Sequence, residues 1–512
     1  MKAQTVLPSA ASIGALRAAV LKGRAPPAMP FIARLVAYRW IVVGTVCIGA
    51  FMSQVDASIT QLLLPRLEHD FGARLSTVTW VVVAYLLANA TFLPIFGRLA
   101  DMVGRKLLYI AGFVLFTVSS LFCGSAHNLP VLIGFRILQG MGGALLGSNS
   151  VAIVVSVAGP ERRGRALGIQ SAAQAVGLGA GPALGGLILG ALGWQWAFWI
   201  NVPLGLIAAI IGWFVIPQDE PAPNNDRFDW EGAFLIVPAL AALMIVLNEG
   251  DRWGATSPAL LAFSLLALVS LTLWIRVERR AQAPLVQLSL FRRAAFSAGN
   301  AAGLLSYAAL FGIFFLLTFL FTRTFGDSAL IAGLRLSIVP VMLGATAPVG
   351  GALYDRFGGR IASVGMLICF ASIGFLLVVL DGKPESLRYV MLALAMFGLG
   401  QGLFISPNNS AIMAAAPACL TGEAGGLLNA ARSIGISFGI TTASALLSWR
   451  LQMLTGAGGD MIHASAQAVL SAIRDAVVLI GVFISMAGAL SLANARQSLL
   501  GAVRAGPRKP RQ

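Results

Sequence analysis

The chain has 512 residues, of which 58% are hydrophobic and only 11% charged, with a mean hydropathy of +0.84 and a formal net charge of +16. Soluble domains are about half apolar and about a quarter charged, and disordered chains are more polar still, so both classes are excluded. Long apolar runs recur from one end to the other, which is the pattern of an all-α integral membrane protein.

Residues 1–39 carry six Lys or Arg and no acid. The first long apolar run begins only near Arg39 and continues into a full span, so this segment reads as a basic cytoplasmic tail and not as a secretory signal. A hydrocarbon core about 30 Å thick takes about 20 residues of helix. That ruler predicts fourteen transmembrane helices, at 40–64, 77–97, 107–127, 130–157, 164–191, 196–216, 231–249, 258–276, 296–322, 332–354, 361–381, 387–413, 424–448 and 475–495. The expected domains are an N-terminal six-helix bundle at 40–216, a linker with a central extra helix pair at 217–295, a C-terminal six-helix bundle at 296–495, and a second basic tail at 496–512. An even count puts both tails on one side. With residues at span ends counted in the adjoining segment, 25 of the 36 Lys and Arg fall in tail-side segments and nine in segments on the other side, while Arg136 and Arg432 fall inside spans. That asymmetry places both termini in the cytoplasm. Charge scattered through short loops also argues against nucleic acid, which needs one basic soluble face.

In chain order, the first chemistry-bearing residue is Asp56, in FMSQVDASITQLLLP of the first span, where an acid is costly and so functional by default. Burial in hydrocarbon raises a carboxyl pKa, and a value near neutrality suits a proton carrier. The alternative is a structural acid bonded to backbone, Ser or Thr. The loop after the second span reads GRLADMVGRK (97–106) and is echoed by GALYDRFGGR (351–360), a repeat that makes the two bundles pseudo-symmetric. Two matching halves around a midplane cavity are what alternating access requires. Arg136 and Gln139 lie in RILQGMGGA of the fourth span. A guanidinium stays charged, so Arg136 needs either a partner such as Asp56 or contacts with Gln139 and backbone carbonyls. The fifth span reads GLGAGPALGG: Gly177, Gly181 and Gly185 share one face, with Pro182 and Gly186 beside it, giving a packing face and a kink. Arg432, in NAARSIGISFG of the thirteenth span, holds a comparable place to Arg136. Trp80, Tyr85, Phe311, Phe314 and Phe315 either line a cavity or fill core and lipid-facing positions. Neither the four cysteines (Cys47, Cys123, Cys369, Cys419) nor His69, His127 and His463 have metal-ligand or catalytic spacing, so no metal, no cofactor and no enzymatic activity are expected.

These runs resemble the major facilitator superfamily, and specifically its fourteen-span drug:proton antiporter branch, the EmrB/QacA type. GRLADMVGRK is similar to the signature between spans two and three, RILQGMGGA to the span-four motif with its arginine, and GLGAGPALGG to the antiporter motif of span five. MSQVDASITQLLLP, WVVVAYLLANA, WQWAFWINVPLG and DWEGA add to the likeness, which covers roughly residues 40–495. The resemblance implies a proton-coupled multidrug exporter in the cell inner (cytoplasmic) membrane, with small amphiphilic substrates, protons and the lipid bilayer as its partners, and a periplasmic adaptor protein open as a further one. A dedicated exporter of one metabolite, lipid or siderophore-like compound is the alternative. It implies proton coupling for Asp56 and Arg136, and a conformational gate for Gly97, Asp101, Gly104, Arg105, Asp355 and Arg360. Gly177, Gly181, Pro182, Gly185 and Gly186 would bend span five and pack it against the other half. Trp80, Tyr85, Gln139 and Arg432 are the expected cavity residues.

Overall fold

A computed structural model describes residues 37–158, 163–218, 229–253, 257–281, 284, 286–417, 421–455 and 464–505. Both basic tails up to residue 36 and from 506, together with Cys419 and His463, lie outside the described residues. In a bilayer a helix satisfies every backbone N–H and C=O within one segment. The described residues accordingly form helices and short connections, with no strand among them.

The first group is α1 (Tyr38–Phe71), α2 (Leu75–Val103), α3 (Arg105–Gly124), α4 (Leu129–Ala158), α5 (Arg163–Ala191), the single turn α6 (Trp196–Trp199) and α7 (Asn201–Val215). Then come α8 (Trp230–Trp253) and α9 (Pro258–Glu278). The second group is α10 (Ala294–Phe319), which ends in a π turn (Leu320–Thr324), then α11 (Ala329–Leu336), α12 (Ile338–Phe357), α13 (Arg360–Val379), α14 (Leu387–Ala415), α15 (Thr421–Thr455) and α16 (Ala466–Ala505). Thirteen helical segments among the described residues are long and apolar enough to cross a membrane, and Trp230–Val246 is a shorter apolar helix.

Sequence punctuation explains several boundaries. Pro65 marked the expected end of the first span, yet α1 runs on to Phe71 and stops at Gly72, whose φ of 56° is left-handed. Proline removes one N–H and leaves the rest of the ladder intact. The tenth span divides into α11 and α12 around Ser337, because Pro340 has no N–H to offer the carbonyl of Leu336. Both repeated loops turn on a glycine with positive φ, 107° at Gly104 and 64° at Gly358. A side chain at either position is strained by about 1–3 kcal/mol. Gly104→Ala should therefore lower the thermal unfolding midpoint of the purified protein. Gly97→Ala, whose new methyl meets only Ser148 Cβ at 3.8 Å, should leave it unchanged. Equal midpoints for the two variants would contradict the strain argument.

Helices α1–α7 pack on one another, and α10–α16 do likewise. The groups meet mainly along two seams, α2 against α15 and α5 against α11 and α12. Helix α8 leans on α2 and α15, and α9 leans on α8. The most apolar stretch of α9 is only 6% buried, so Leu261, Leu265 and Leu268 face lipid. The most apolar stretch of residues 294–324 is 83% buried, which places Phe311, Phe314 and Phe315 in core packing and not on a cavity wall or in lipid.

The bundle end at which α1 begins is termed proximal and the opposite end distal. The groups are pressed together distally. Thr79 and Ser444 share a hydrogen bond of 3.0 Å across the α2–α15 seam. A Cβ on Gly333 would stand 2.0 Å from the Pro182 carbonyl oxygen, and one on Gly186 2.4 Å from that of Ala329. Nearby, Arg323 on the π turn approaches the Glu68 carboxylate at 3.9 Å.

Candidate functional site

Arg136 and Gln139 are three residues apart on α4, so their side chains project from one face. That face turns into the first group. Gly140, Gly142 and Gly143 follow on the same helix and admit its neighbours closely: a Cβ at Gly140 would lie 2.3 Å from the Tyr85 carbonyl, and one at Gly142 2.7 Å from the Phe116 nitrogen. The glycines of RILQGMGGA thus draw α2 and α3 onto α4 and set Tyr85 over the arginine.

The result is a buried ion pair with a full set of partners. Arg136 Nη1 donates to Asp56 Oδ2 and to Gln139 Oε1, each at 2.6 Å, and Nε donates to the Val81 carbonyl at 2.7 Å. Gln139 Nε2 donates to Asp56 Oδ1 at 2.9 Å and to Ser120 Oγ at 2.8 Å. Asn201 Nδ2, at the start of α7, reaches Asp56 Oδ1 at 3.2 Å. Three side-chain donors therefore hold a carboxyl group that is 2% exposed, opposite a guanidinium that is 0% exposed. Arg136 Nη2 finds no hydrogen-bond acceptor among the described residues. Its guanidinium instead lies 4.3 Å from the Tyr85 ring centre and 5.6 Å from that of Phe198. An aromatic face attracts a desolvated cation by about 2 kcal/mol.

Between the two groups a cleft runs from mid-depth toward the proximal end. Its walls include Ser53, Gln54, Tyr85, Asn89 and Ser150 from the first group and Asn429, Arg432 and Ser433 from the second, with Leu86, Leu93, Leu146 and Ile436 between them. Ser433 donates to Asn89 Oδ1 across the cleft at 3.1 Å. Tyr85 belongs to both features. It lines the cleft and it covers Arg136, so it stands between the ion pair and the open space.

Of the four expected cavity residues, Tyr85 and Arg432 line the cleft. Gln139 does not, because it is committed to Asp56, Arg136 and Ser120. Trp80 is turned toward α8, where its indole donates to Glu249 at 2.9 Å. The small face of α5 also differs from expectation. Gly177, Gly181 and Gly185 pack on α1 of their own group, against Phe51, Ser58 and Ile59. Contact with the other group passes through Gly186, the Pro182 carbonyl and Gly333. Two glycine faces on one helix serve two neighbours, and sequence spacing does not say which neighbour takes which face. Gly97, Gly104 and Arg105 lie at the proximal end of α2 and α3, and Arg360 is exposed at the start of α13. The side chains of Asp101 and Asp355 lie outside the described ones. Three residues of the network and the seams escaped sequence reading: Ser120, Asn201 and Glu68, the last fully buried at the distal end of α1. Serine and asparagine are common in spans, and Glu68 sits so near a helix end that it reads as a loop acid. No group of His, Cys, Asp and Glu suited to a metal occurs among the described residues.

The family model described as Major Facilitator Superfamily matches residues 46–440. Over 440 residues the chain is 33% identical to the Riboflavin transporter RibZ of Clostridioides difficile, spanning 85% of this chain and 93% of that one. It is 31% identical over 417 residues to the Multidrug resistance protein B homolog of Mycobacterium tuberculosis, spanning 80% and 76% of the two chains. Among solved structures, a bacterial homolog of the human lysosomal transporter Spinster, inward-facing and unoccupied, superposes with a TM-score of 0.62 at 16% identity, covering 91% of this chain and 98% of that one. The D-xylose-proton symporter gives a TM-score of 0.59 at 16% identity, covering 87% and 97%. At such low identity these two likenesses speak to the fold alone.

Proposed function

Because the chain belongs to the Major Facilitator Superfamily, and is therefore a multi-pass membrane transporter and not an enzyme, we propose that it is a fourteen-span, proton-coupled exporter of small amphiphilic compounds. In this reading it belongs to the drug:proton antiporter branch, both termini are cytoplasmic, and the distal end faces outward across the inner membrane. The closed distal seam and the proximal cleft then correspond to a state that collects substrate from the cytoplasm. The observation that carries the reading is the Asp56–Arg136 pair, buried directly behind a cleft residue.

Protonation of Asp56 removes the charge that Arg136 and Gln139 hold. The guanidinium, without its counter-charge, is then left to Val81, Gln139 and the Tyr85 ring, and the wall of the cleft changes shape as it resettles. Rocking of residues 40–216 against 296–495 would carry the change to the seams, with the glycine turns of the repeated loops as gate elements at the proximal end. One charge crossing about 100 mV carries about 2.3 kcal/mol, and one pH unit about 1.4 kcal/mol. A single proton per cycle thus sustains a gradient of roughly a few hundredfold.

A second reading, a dedicated exporter of one metabolite, is favoured by the similarity to a riboflavin transporter and by a wall rich in amide and hydroxyl groups. Efflux assays in inside-out vesicles, with the pH gradient and the membrane potential imposed separately, test both. Accumulation of many unrelated dyes on acidifying the lumen is expected of the first reading, and of one polar compound only for the second. No response to either gradient would remove proton coupling altogether.

A further inference from the structure

We propose that the cleft binds a monoanionic amphiphile, with a carboxylate or similar two-oxygen anion of the ligand seated on Arg432. This rests on the exporter reading and names the ligand of the same cleft. Arg432 projects from α15 at mid-depth and is the one charged side chain on the described cleft wall. Its polar neighbours are neutral: Gln174 Oε1, 3.5 Å from Nη1, and the Tyr307 hydroxyl. No ion pair to Arg432 occurs among the described residues.

Arg136 makes the contrast clear. Its charge is matched by Asp56 at 2.6 Å, and Asp56 is 2% exposed and committed to Gln139 and Asn201 as well. That acid is not available to Arg432. A guanidinium keeps its charge at any pH the cell meets, and one held at membrane depth without a counter-ion is costly. An arriving anion removes that cost. The planar fork of arginine meets a carboxylate through two parallel hydrogen bonds, which favours a two-oxygen anion over a spherical one. Asn89 and Asn429 offer hydrogen bonds to the uncharged polar part of a ligand, and Leu86 and Ile436 offer apolar contact to the rest of it. A cation in the same place would sit beside Arg432 with no acid among the described wall residues to offset the repulsion.

The test is equilibrium binding to the purified full chain in nanodiscs, using three fluorescent probes of similar size: dansylphenylalanine (an anion), its carboxamide (neutral) and dansylcadaverine (a cation). The anion is expected to bind about tenfold more tightly than the carboxamide, as charge-assisted pairing implies, with the cation weakest. In Arg432→Gln the anion-to-amide ratio should fall to about twofold or less, and Arg432→Lys, which keeps the charge but loses the fork, should give an intermediate ratio. A wild type that binds the amide or the amine as tightly as the carboxylate, or binds none of the three, overturns the proposal without recourse to any variant. So does a ratio unchanged in a folded Arg432→Gln. Movement of the same probes driven by a pH gradient is read separately. An anion preference without driven movement would remove the exporter reading and leave the site, and driven movement without the preference would do the reverse.

Discussion

Asp56→Asn is expected to reduce transport driven by a pH gradient to the level of empty vesicles and, at the same time, to destabilise the fold. Breaking one side of a buried ion pair leaves the other charge uncompensated, at a cost of about 3–5 kcal/mol. Here the orphan would be Arg136, 0% exposed and left with Val81, Gln139 and the Tyr85 ring. Loss of transport alone would therefore not separate coupling from folding. Asp56→Asn combined with Arg136→Gln does separate them. With both charges gone the desolvation penalty disappears, so the double variant should regain most of the thermal stability measured in detergent. It should still fail to respond to a pH gradient, since no group remains in the network to carry the proton. A double variant that recovers both stability and pH-driven transport would reduce the pair to a structural brace.

Gly333→Ala is expected to shift the protein away from the distally closed arrangement. The new methyl would stand 2.0 Å from the Pro182 carbonyl oxygen and 2.9 Å from its carbon, both backbone atoms that no rotamer change can move aside. Overpacking of this kind costs about 1–3 kcal/mol, and the closed state alone bears it. The ratio of closed to open molecules should fall by roughly 5–150-fold. Spin labels at the exposed positions Leu192 and Ile331 flank the contact and report its opening as a longer distance. Gly179→Ala is the matched control, because its methyl meets Pro340 at an ordinary 3.7 Å. Identical distance distributions for the two variants would mean that the distal contact does not govern the equilibrium.

Much of this was legible in the residues. Hydropathy located the segments, since helix is the one local structure that a bilayer permits, but not all of their ends: α1 runs on to Phe71 and α16 begins at Ala466, well outside the expected 40–64 and 475–495. The repeated loops announced themselves through glycine, and both glycines adopt backbone angles that other residues resist. Asp56 and Arg136 stood out because ionisable residues are rare at membrane depth, and they do meet. What sequence could not supply was direction around each helix axis. It left Arg136 with two alternatives, Asp56 or Gln139, and the structure uses both. It assigned Gln139 and Trp80 to the cavity, where each is instead held by a buried or peripheral partner. It gave the small face of α5 a single neighbour where there are two. Asn201 and Ser120 were silent because an uncharged polar residue in a span costs little, and so draws no attention until its partner is in view.

The 80 residues that separate Asp56 from Arg136 also bear on biogenesis. Helix α1 must enter the membrane before α4 has been synthesised, carrying an acid that adds about 2.5–3.5 kcal/mol to the insertion of a lone helix. Its long apolar flanks bear that load until α4 leaves the ribosome and supplies the counter-charge. A nascent chain truncated short of Arg136 leaves an unpaired acid in the bilayer, with no arginine to hold it.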